Sequence, residues 1–77
     1  MIRLKQIAPN MTVLRRNGNQ ILYSYETPVA VYDAKECKYM KTEYKWSRTT
    51  SRHITKWLDG VTAEPVPQST INEYVEG

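Results

Sequence analysis

Residues 38–58 read KYMKTEYKWSRTTSRHITKWL, and the way this stretch divides decides the fold. From Lys38 to Trp46 the residues alternate. Met40, Thr42, Tyr44 and Trp46 fall with Lys38 on one side, and Tyr39, Lys41, Glu43 and Lys45 on the other. Period-2 alternation is the mark of a strand with one buried and one solvated face, so a strand is expected over 38–46 with Tyr39 and Lys41 on its wet side. Ser47, Arg48, Thr49, Thr50 and Ser51 follow, and short hydroxyl side chains in such a run suit the start of a helix. A helix is expected over 50–59, capped by Thr49 or Thr50 and stopped at Gly60. Ile54, Trp57 and Leu58 then share a stripe with Thr50, while Arg48, Arg52 and Lys56 recur every four residues on another side.

Working back from this stretch, Asp33 to Glu36 reads as a turn and Val29 to Tyr32 as a very apolar strand. Strands are expected over 11–16, 20–26 and 28–33. Asn17-Gly18 joins the first two, because this pair readily takes the positive φ of a tight hairpin. Residues 1–10 read as a leader. Working forward, Pro65 and Pro67 stiffen a linker, and Ser69 is placed to cap a short helix with Ile71, Tyr74 and Val75 on its apolar side. The expected fold is α+β: one small domain over 1–77, with a four-stranded antiparallel meander (11–46), an amphipathic helix (47–60), and a Pro-containing linker and short C-terminal helix (61–77). Val13, Leu22, Val29, Val31, Met40, Tyr44, Trp46, Ile54, Trp57 and Leu58 are the expected core.

That core is thin for the chain. Apolar residues make up 40% of the 77, Phe is absent, and six Tyr and two Trp supply the aromatic bulk. Dimerisation would complete such a core, and a homodimer is expected. The single cysteine, Cys37, allows no intrachain disulfide, which suits a reducing cytoplasm. No apolar run is long enough to span a bilayer, and MIRLKQIAP is too short and interrupted for a signal peptide. Charge is unevenly spread. Residues 1–34 sum to +2, residues 35–56 to +5, and residues 57–77, with Asp59, Glu64, Glu73 and Glu76 and no base, to −4. A basic middle implies an anionic partner or an acidic tail lying against it.

Residue types that carry chemistry are few. His53 has no second His, Cys pair or carboxylate at ligand spacing, so no metal site is expected. A nucleophilic Cys37 needs a base, only His53 could serve, and nothing in the spacing brings the two together. No cofactor motif is present, and an enzyme is not expected. Trp46 and Trp57 are most simply core. Tyr39, on the wet face beside Lys41, is the better candidate for stacking on a nucleic-acid base. The hydroxyls of Thr49, Thr50 and Ser51 at a helix start, beside Arg48 and Arg52, suit a phosphate as well as simple capping. The candidate nucleic-acid surface is therefore Tyr39, Lys41, Lys45, Arg48, Thr49, Thr50, Ser51, Arg52 and Lys56.

The pieces SYETPVAVY (residues 24–32), YMKTEYKWSRTTSRHITKWL (residues 39–58) and VPQ (residues 66–68) resemble a group of very small proteins encoded by phages and plasmids. In that group a TPVA strand precedes a KWSxTTSxHIxxWL segment. The spacing of Trp46, Ser47, Thr49, Thr50, Ser51, His53, Ile54 and Trp57 is the most specific part. The resemblance implies a compact cytoplasmic accessory protein of mobile genetic origin and no particular chemistry. Two functions compete. One is sequence-tolerant binding of DNA or RNA through the basic strand–helix surface. The alternative is a protein-binding accessory factor that occupies or inhibits a host protein and has no nucleic-acid affinity.

Overall fold

The computed structural model describes residues 4–8 and 10–76. Six strands form one sheet in chain order: β1 (Leu4–Ala8), β2 (Met11–Arg16), β3 (Asn19–Ser24), β4 (Thr27–Asp33), β5 (Lys38–Thr42) and β6 (Glu64–Val66). Helix α1 (Arg48–Leu58) lies between β5 and β6, and α2 (Gln68–Glu76) follows β6. The four expected strands are all present. Asn17 (φ 53°) and Gly18 (φ 82°) make the β2–β3 turn, with Arg16 opposite Asn19. Two consecutive left-handed residues give the hairpin twist that flanking strands favour.

The sheet is larger than the meander expected. The stretch read as a leader contains β1, antiparallel to β2 with Leu4 opposite Leu14. The stretch read as a linker contains β6, which pairs parallel to β5, Thr42 opposite Val66. Parallel neighbours cannot be joined by a tight turn, and α1 is the crossover that joins these two. Pro65 is tolerated because β6 is an edge strand and needs no N–H on its open side.

The helices cover opposite faces. α1 packs Ile54 and Leu58 onto Met11, Val13, Leu22, Val29 and Ala30. α2 packs Ile71 onto Leu14, Ile21, Val31 and Met40. The sheet thus has no wet face in its middle, which explains the unbroken apolar run of β4. It also corrects two expectations for the 38–58 stretch. Tyr39 is half-buried, its ring 4.6 Å from Tyr32 and 5.5 Å from the half-buried Trp57. Tyr44 and Trp46, expected in the core, are 58% and 46% exposed. The reason is that β5 ends at Thr42 rather than Trp46. The Thr42 hydroxyl accepts the Tyr44 N–H at 3.2 Å, and Glu43 N–H bonds the Val66 carbonyl. The chain therefore turns out of the sheet before the alternation can place its aromatics.

Ser47 is the N-cap of α1, in place of Thr49 or Thr50. Its backbone is extended and its hydroxyl accepts the Thr50 N–H at 3.1 Å. Asp59, left-handed at φ 48°, closes the helix just before Gly60. α2 starts one residue before the expected cap Ser69: the Pro67 carbonyl accepts the Thr70 N–H.

Candidate functional site

The turn-out after β5 and the first two turns of α1 form one surface. Lys45, Trp46, Ser47, Arg48, Ser51 and Arg52 line a shallow depression of about 560 Å³. An adjoining one of about 320 Å³ runs along Lys41, Tyr44, Trp46, Thr50, Ser51 and Pro65. Trp46 belongs to both. Arg48 and Arg52 are one helical turn apart and exposed, because Thr50, Ile54 and Leu58 are the positions that α1 turns to the sheet. No acidic residue sits in the first turn of α1, so the partial positive charge of the helix start adds to the arginines.

The aromatic pair is held in place. Tyr44 and Trp46 have ring centroids 4.6 Å apart and planes at 56°. The Trp46 indole Nε1–H donates to Gln68 Oε1 at 3.2 Å. Gln68 is itself anchored, its Nε2 donating to the Pro28 carbonyl at 2.7 Å and to Asn72 Oδ1 at 3.1 Å. The segment after β5 is thus tied to α2 and β4.

Of the residues expected to form the site, Lys41, Lys45, Arg48, Ser51 and Arg52 come together around Trp46. Thr50 reaches the second depression but is 6% exposed and occupied in packing. Thr49 and Lys56 are exposed on α1 and line neither depression. Tyr39 is half-buried against Trp57 and lines neither depression. Sequence reasoning placed Tyr44 and Trp46 in the core and ranked Trp46 below Tyr39 for stacking. Their signal was the step from a strand into hydroxyl-rich SRTTS, which could equally have ended the strand four residues earlier.

Two polar networks lie beneath or beyond this surface, the first meeting it at Ser47 and Thr50. In the first, Ser24 Oγ lies 2.7 Å from His53 Nδ1 and 3.0 Å from Thr50 Oγ1, and the Ser47 hydroxyl donates to Thr50 Oγ1 at 3.2 Å. With Nδ1 as acceptor, one unbroken chain of donors runs from Ser47 through Thr50 and Ser24 to His53. Ser24 is 2% exposed, so a substrate reaches its hydroxyl only by parting α1 from β3. The Ser–His contact is a strut between helix and sheet. In the second, Asp33 accepts the Lys35 and Glu36 N–H groups and the Tyr74 hydroxyl, the last at 2.7 Å. The Tyr74 bond, chiefly, holds the Asp33 carboxyl below its ordinary range. The same bond, with burial, pushes the Tyr74 phenol up to about 12. Burial also raises Tyr32. Cys37, exposed and left-handed at φ 53°, bonds the Ala34 carbonyl in the β4–β5 turn. Among the described residues, no three His, Cys, Asp or Glu side chains gather to hold a metal ion.

A family model described as a family of unknown function, DUF8033, matches residues 2–73. The chain belongs to that family. No curated protein and no solved structure matches this DUF8033 chain, so its chemistry must be argued from the surface itself. No helix among the described residues is long and apolar enough to cross a membrane.

Proposed function

We propose that the protein binds nucleic acid through the surface around Trp46, as an accessory protein of the phage and plasmid kind that its sequence resembles. One observation carries the reading: Lys41, Lys45, Arg48 and Arg52 gather around an exposed aromatic pair. Cations alone are commonplace on surfaces, and exposed aromatics alone suit a protein partner. Together they match the two groups a nucleic acid offers, phosphate and base. No base-reading motif is present, so binding is sequence-tolerant and led by phosphate contacts.

The test is a fluorescence-anisotropy titration of labelled DNA and RNA at two salt concentrations. Wild type binds with a steep salt dependence, and Arg48→Ala/Arg52→Ala flattens the slope of log K against log salt by about 1–2 units. Equal affinity and slope in the two proteins would remove this surface from consideration. Failure of wild type to bind at low salt would transfer the exposed pair to the alternative, a host-protein partner. We also propose a homodimer formed along the outer edge of β1, which ends the sheet among the described residues. Light scattering that gives a mass near 9.0 kDa at high micromolar concentration contradicts it.

A further inference from the structure

We infer that the surface around Trp46 selects single-stranded over double-stranded nucleic acid, with Tyr44 and Trp46 as a fixed stacking platform; this rests on the nucleic-acid reading above. A 77-residue chain without Phe has little apolar bulk to spare, yet Trp46 is left 46% exposed. Large aromatics are worth most when buried, and Tyr39 and Trp57 are each partly buried against the core. Trp46 is kept out by construction. Thr42 turns the chain out of the sheet, and Gln68 fixes the indole from the side.

That tether decides what the ring offers. Tryptophan has a single polar hydrogen, and in Trp46 it is spent on Gln68. What remains towards solvent is π surface, which any base can cover and none can be distinguished by. Tyr44, tilted against Trp46 at 56°, presents a second face at a different angle. Two tilted faces cannot both lie against the edge of a base-paired stack, whose base faces are already occupied. They can take unstacked bases of a flexible strand. Lys41, Lys45, Arg48 and Arg52 line the two depressions that meet at Trp46, four cations against the one carboxylate there, Glu43. They are placed for the phosphates on either side of a stacked base.

The platform also separates affinity from salt dependence. Stacking adds binding that does not release counterions, whereas each arginine contact does. Four probes of equal length test this by anisotropy: oligo-dT, oligo-U, a duplex, and an abasic deoxyribose-phosphate strand. Wild type binds oligo-dT and oligo-U at least about tenfold more tightly than the abasic strand, the increment expected of base stacking, and more tightly than the duplex. Tyr44→Ala/Trp46→Ala lowers the single-strand affinity to that of the abasic strand and leaves the salt slope unchanged. Trp46→Phe, which keeps a stacking face and loses the bond to Gln68, retains an intermediate preference. Circular dichroism confirms folding in each case, since both side chains are exposed. If all four probes bind wild type alike and the double variant changes nothing, the platform is overturned while phosphate binding stands. If no probe binds at low salt, both readings fall. A difference between oligo-dT and oligo-U of tenfold or more would overturn the base-tolerant stacking and point to a sugar contact.

Discussion

The two helices sit on opposite faces of one sheet and are built on opposite plans. α2 is held by bulk: Ile71 is fully buried among Leu14, Ile21, Val31 and Met40, and its exposed positions include Glu73 and Glu76 with no base. α1 is held partly by polar groups. Beside the packed Ile54, Thr50 and His53 of α1 are hydrogen-bonded to Ser24 of β3, and the exposed positions of α1 carry Arg48, Arg52 and Lys56. The charge asymmetry along the chain thus becomes an asymmetry across the sheet. Of the acidic tail, Glu73 and Glu76 lie on α2, away from the arginines of α1, while Asp59 caps the far end of α1 and Glu64 begins β6. Arg16 reaches the far end of α2, donating to the Val75 carbonyl at 2.6 Å. There a cation meets the negative end of the helix dipole.

The sharpest way to break this contrast is in the bulk layer. Ile71→Ala removes the one side chain of α2 that is fully buried. It is expected to cost about 2–5 kcal/mol, a large share of the stability of so small a domain, read as a lowered urea midpoint. In the polar layer, Ser24→Ala takes one partner from His53 Nδ1 and one from Thr50 Oγ1. A loss of about 1–3 kcal/mol is expected. A midpoint unchanged by Ser24→Ala would show that the strut contributes nothing.

The α2 layer also makes a pH prediction. The raised Tyr74 phenol contributes stability that is complete below its ordinary value of 10.0 and is lost as pH rises towards about 12. The lowered Asp33 carboxyl contributes stability that is complete above its ordinary value of 3.8 and is lost as pH falls through its depressed value. Tyr74→Phe reduces the alkaline loss to the part that the raised Tyr32 contributes, and shrinks the acid one, since the Tyr74 bond is the largest cause of the Asp33 shift. Urea midpoints at a series of pH values check both limbs. An alkaline limb that survives Tyr74→Phe undiminished would assign it to another group. The smallest expected effect is that of Arg48→Ala/Arg52→Ala on stability, within about 0.5 kcal/mol for exposed positions away from any contact. A larger loss would mean that the basic side of α1 supports the fold.

Much of the fold was legible because it is local. The Asn-Gly hairpin, the apolar run of β4 and the stripe of α1 are each set by neighbours in sequence. What was not legible depended on distant partners. β6 is three residues long and contains Pro65, so only β5 beside it makes it a strand. The wet face assigned to β5 depended on the assumption that one helix covers one face. Once α1 and α2 cover both, Tyr39 is half-buried against Trp57. For the candidate site, the cations were legible and the aromatics were exchanged. Alternation carried Tyr44 and Trp46 inward on paper, and a single side-chain bond from Thr42, with no Gly or Pro to announce it, carries them out.

The central claim is that the α1 side of the sheet, and not the α2 side, meets a nucleic acid at Trp46. The most direct measurement is a two-dimensional ¹H–¹⁵N correlation spectrum recorded during titration with oligo-dT at low salt. The account predicts shifts concentrated in residues 41–52, including the Trp46 indole N–H, which broadens or moves as bases stack on its ring. The amides of Glu73 and Glu76 on the exposed side of α2 stay in place. Shifts centred on α2, or an unchanged Trp46 indole signal at saturating oligonucleotide, would contradict it.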